Sequence, residues 1–87
     1  MLKDYLIDDW GRLVSLQKEI QTLESDIFQL VEAAYAAILM REYQVARLHV
    51  VALEERNEEY KAITHQDCVK PATILNIQER LWEKQNA

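Results

Sequence analysis

Residues 12–40 read RLVSLQKEIQTLESDIFQLVEAAYAAILM. In this stretch Leu13, Leu16, Ile20, Leu23, Ile27, Leu30, Ala34 and Ala37 recur at alternating steps of three and four. That spacing draws one apolar stripe along an α-helix and calls for a second helix to cover it. Glycine and proline, which would interrupt such a run, are absent from Arg12 through Lys70. The expectation is an all-α fold.

Beyond Ala37 the stripe changes phase. The next heptad positions would be Arg41 and Gln44, both polar, while a new apolar series runs through Leu39, Tyr43, Ala46, Val50, Leu53 and Tyr60. A reversal near Met40 to Glu42 accounts for this and predicts an antiparallel, coiled-coil-like helical hairpin. A continuous helix with a stutter in its heptads fits the same pattern, and would make a rod of about 80 Å. The hairpin is the expected form, because a lone rod buries neither stripe.

Working outward, Leu2, Leu6 and Trp10 keep a four-residue step before Gly11. The first helix is therefore expected to begin near Lys3, to cross the glycine at a cost of about 1 kcal/mol, and to end near residue 40. The second helix spans about 42–66. Pro71 suits a first helical turn, and Ile74, Ile77 and Leu81 behind it predict a short third helix over about 71–84 with Trp82 extending its apolar face. Asn57 and Thr64 fall on the second stripe and are expected to weaken the open end of the hairpin while helping to set its register. Arg56 is expected to pair with Asp26 across it.

The chain has 87 residues and carries a net charge of −5, with acidic and basic residues interspersed. It forms one domain, and a domain this small buries a modest fraction of its surface. Cys68 is the only cysteine, so no internal disulfide can supplement the core. No apolar run approaches the roughly 20 residues that cross a bilayer, and no Lys/Arg stripe offers itself to phosphates. A cytoplasmic protein that touches neither membrane nor nucleic acid is expected.

Motifs for chemistry are sparse. His65, Asp67 and Cys68 lie close together, but a four-ligand zinc site would have to recruit the distant His49, so a polar connection before Pro71 is the expected role. Glu54, Glu55, Glu58 and Glu59 sit at helical spacing without the Glu-x-x-His partner of a di-iron bundle, which suggests a solvated face. Neither a phosphate loop nor a nucleophile elbow is present. No enzyme activity, metal or cofactor is expected.

What remains is apolar surface in excess. Phe28, Val31, Tyr35 and Ile38 flank the first seam, and Val45, Leu48 and Val51 lie beside the second, more than two helices alone can cover. These seven residues are the candidate partner-binding set, with the third helix as the competing cover. Trp10 and Trp82, near the chain ends, are expected to pack within the monomer. In a parallel, in-register homodimer of the first helix Glu19 would face Glu24, so an antiparallel homodimer or a helical segment of another protein is the expected partner.

Tyr43-Gln44-Val45, followed at helical distance by Ala52-Leu53-Glu54, resembles the corresponding stretch of the small helical-hairpin co-chaperones of type III secretion needle subunits. The likeness covers about a dozen residues; the third helix goes beyond the two-helix form of that family, and no glycine precedes Tyr43. The resemblance implies a hairpin that holds an aggregation-prone client, or a second chaperone, through its apolar face. From the residues themselves the expected function is a small acidic interaction module, an adaptor or chaperone covering an amphipathic segment of a partner. A regulator of phage or mobile-element type that blocks a basic surface with its acidic face is the alternative, and a self-assembling structural oligomer is the second alternative.

Overall fold

The computed structural model describes the backbone of residues 2–86 and the side chains of residues 11–85. Three helices follow one another: α1 over Leu2–Leu39, α2 over Tyr43–Thr64 and α3 over Pro71–Asn86. Among the described residues there is no strand. The bounds match the expected helices to within two residues at each end, and α1 passes through Gly11 without a break.

The chain stops α1 without a glycine. Arg41 takes up the left-handed backbone conformation at φ 61°, its N–H donates to the carbonyl of Ile38 at 3.1 Å, and the Glu42 N–H donates to that of Ala37 at 2.8 Å. This double closure satisfies carbonyls that the helix end would otherwise orphan, and it turns the chain sharply. His65 closes α2 more simply, again at φ 61°, with its N–H on the Lys61 carbonyl at 2.8 Å. Pro71 opens α3, where its fixed φ and missing N–H cost nothing.

With three residues between them, α1 and α2 pack side by side, and the Tyr60 hydroxyl donates to the Glu24 carboxylate at 3.0 Å. Ile27, Ala34 and Ala37 of α1 meet Ala46, Val50 and Leu53 of α2 in one buried cluster, and α3 adds Ile77 and Leu81 to it. Alanines at the seam allow the two helix axes to approach closely near the turn. α3 is held to the outside of α2 by polar contacts as well: Gln78 donates to Glu54 and Arg47 donates to Gln85. On the α1 side the Arg80 guanidinium lies over the Tyr35 ring, 5.4 Å from its centre.

Four expectations need correction. Asn57 does not weaken the open end. It is buried, and its side-chain oxygen accepts from the N–H groups of Cys68 at 2.9 Å and Val69 at 3.3 Å while its amide donates to Asp67 at 3.3 Å. A polar residue on the stripe thus satisfies the loop that delivers α3. Arg56 bonds Glu59 one turn along its own helix at 3.1 Å in place of Asp26, because the i,i+3 carboxylate is already within reach. Leu39 is exposed rather than part of the second stripe, since it sits at the mouth of the turn. Trp82 is exposed too, being a residue beyond Leu81 and so about 100° around α3 from the buried line. The Trp10 side chain lies outside the described residues.

α1 is far longer than the helix that covers it. Its 38 residues against the 22 of α2 leave about 24 Å of α1 beyond the end of α2 at 1.5 Å per residue, within a molecule 66 Å long. The seam continues into this arm without cover. Leu23 is 6% exposed where α2 lies over it, whereas Leu16 is 40% and Leu13 56% exposed.

Candidate partner-binding surface

The seven candidate residues divide by what α3 does. Ile38 is not available to a partner: it is 7% exposed and belongs to the buried cluster that includes Ile77 and Leu81. Val31 and Tyr35 are half-buried against the same cluster. The third helix therefore covers the middle of the set, and the sequence could not show this because α3's own face is short and its docking side was undetermined.

Phe28, Val45, Leu48 and Val51 stay exposed, but they do not form one patch. Phe28 lies seven residues before Tyr35, hence on the side of α1 that faces α3. Val45 and Leu48 lie seven and four residues before Ala52, on the side of α2 away from Glu54 and its α3 contact. A shallow groove runs between α1 and α2 on the face opposite α3; Val45 lies one turn before His49, which lines it, and Leu48 lies further round, on the outer side of α2. Leu30, Ala33, His49 and Ala52 line its floor, and Asp26, Gln29 and Arg56 stand at its rim. Small side chains at Ala33 and Ala52 leave room for another backbone to come close. Residues outside the candidate set add apolar surface elsewhere: Leu39 and Met40 at the turn, and Leu75 with Trp82 seven residues apart on α3. Their signal in the sequence was a spacing that misses the line of Ile74, Ile77 and Leu81.

Part of the acidic run is engaged within the chain: Glu54 accepts from Gln78 and Glu59 from Arg56. Asp67 is tied to Asn57, His65 serves as the end of α2, and Cys68 is half-buried with its thiol pushed up, first by burial and then by the Glu24 charge. Among the described residues no group of three His, Cys, Asp or Glu side chains is placed to hold a metal ion. No described helix is long and apolar enough to cross a membrane.

No protein-family model, curated protein or solved structure matches this chain.

Proposed function

We propose that this protein is a small acidic interaction module, an adaptor or chaperone of the cytoplasm, in which α1 and α2 act as a coiled-coil-like antiparallel hairpin braced by α3. Its partner is an amphipathic helix of another protein, laid into the groove between α1 and α2 on the face away from α3. The observation that carries this reading is a groove lined by Ala33 and Ala52, with Leu48, 70% exposed, one helical turn before Ala52. A large aliphatic side chain next to small ones is the shape that a ridge of helical side chains fills. The co-chaperone resemblance points the same way, since Tyr43-Gln44-Val45 and Ala52-Leu53-Glu54 bracket this stretch of α2.

Leu48→Asp tests it. The side chain lies outside the core, so the variant keeps its helicity and its unfolding midpoint. Binding to a partner captured from the native host should fall by on the order of a hundredfold, as for an apolar anchor turned into a charge. Unchanged binding would remove the groove from consideration. Repeating the titration at high salt separates this reading from an electrostatic blocker, whose affinity would fall steeply while an apolar groove holds. Of the acidic run, Glu59 is already paired with Arg56 and Glu54 accepts from Gln78, which lessens what the run offers a basic surface.

A further inference from the structure

The free seam of α1 poses a separate question from the groove. Toward the start of α1 the seam emerges from cover: Ile20 is half-buried, while Leu16 and Leu13 are 40% and 56% exposed. An isolated helix of about 12–15 residues is marginal in water, and this arm has a glycine in it, so its helical form needs a cover. Between Gly11 and Ile20 the seam carries Arg12 and Lys18 against Glu19, so this stretch does not repel its copy although the whole chain is negative.

We infer that the arm of α1 is a homodimerisation seam, docking a second copy antiparallel with Leu13 against the partner's Leu16 and Arg12 against the partner's Glu19. The charges choose this arrangement. With Leu13 and Leu16 at the two core positions of the heptad, Arg12 and Glu19 occupy the same flank one heptad apart, and Gln17 and Glu24 occupy the other. An antiparallel pair sets like flank against like flank. Centred between Leu13 and Leu16, it forms the Arg12 to Glu19 contact twice by symmetry. Sliding the partner one heptad in one direction brings Arg12 onto the partner's Arg12. Sliding it in the other brings Glu19 onto the partner's Glu19 and drives the seam into Leu23, which α2 already covers. A parallel pair sets Glu19 against the partner's Glu24. Only the centred antiparallel register escapes repulsion.

Ten residues, Gly11 to Ile20, give about three helical turns of seam and a small interface, so the dimer dissociates on dilution. Sedimentation of the full chain carrying Cys68→Ser, over a concentration series, tests the inference. A monomer–dimer equilibrium is expected, and Leu16→Asp should leave only monomer while the cooperative unfolding of the remaining fold persists. Arg12→Glu and Glu19→Arg should each weaken the dimer by on the order of tenfold, since each turns two attractive contacts repulsive. The double variant Arg12→Glu/Glu19→Arg should restore it to within about threefold of the parent. A chain that stays monomeric at millimolar concentration overturns the inference, as does a dimer that survives Leu16→Asp. A dimer that Glu19→Arg strengthens is parallel, and overturns it too. Leu48→Asp, in the groove, should leave the dimer unchanged, so this seam and the groove succeed or fail separately.

Discussion

At the scale of single residues, two side chains carry more of the fold than their types suggest. Arg41 holds a left-handed conformation that an L side chain enters at a cost and glycine enters freely. Arg41→Gly should therefore raise stability by about 0.5–1 kcal/mol, read as a higher urea midpoint with an unchanged slope. A lower midpoint would mean that the arginine makes a compensating contact. Asn57 is the opposite case. Its oxygen satisfies the N–H groups of both Cys68 and Val69, and Asn57→Ala leaves them without that acceptor. The expected loss is about 2–3 kcal/mol, the order of stranding buried donors, with α3 released first. Limited proteolysis cutting between residues 65 and 70 in the variant would show that release, and an uncut variant would contradict it.

The elements differ in what sustains them. α2 and α3 are held by burial, their apolar lines enclosed by neighbours on the core side. The arm of α1 has no such support within the chain, so propensity matters there. Gly11 has nothing within 4 Å of where a Cβ would stand, and Gly11→Ala should favour the arm's helix by about 1 kcal/mol. Circular dichroism should gain helical signal with no change in the core's unfolding midpoint. If the arm were already fully ordered, the signal would not move. The turn between α1 and α2 and the Asn57-bound connection after α2 are the two joints that decide how these elements stack. Each is built from a left-handed residue plus hydrogen bonds to the preceding helix.

For the molecule as a whole, the Tyr60 to Glu24 contact ties the far end of α2 to α1 and makes stability respond to alkali. The Tyr60 phenol is raised above its ordinary value, first by its hydrogen bond to the Glu24 carboxylate, then by burial and the Glu24 charge. Folding therefore favours the protonated phenol. That contribution is complete below the unfolded tyrosine value of about 10 and is lost as the pH rises through the higher folded-state value. Between about pH 8 and about pH 11 the parent's urea midpoint should fall more than that of Tyr60→Phe, which has no phenol to ionise at this position. Equal falls in both proteins would show that Tyr60 does not couple ionisation to folding.

Periodicity alone determined that the chain is helical and that its apolar surface outruns two helices, while a continuous rod and a hairpin both fitted it. Steps of three and four and the placement of Pro71 are local properties, legible wherever the backbone hydrogen bonds of a helix close within a few residues. The landing place of α3 was not legible, nor was the removal of Ile38 from the candidate set. Both depend on a connection pinned by Asn57 and on side chains that meet across dozens of residues. The same reason hid the uncovered arm. Leu13, Leu16 and Leu23 look alike along one stripe, and only the point at which α2 stops leaves Leu23 buried and the other two exposed.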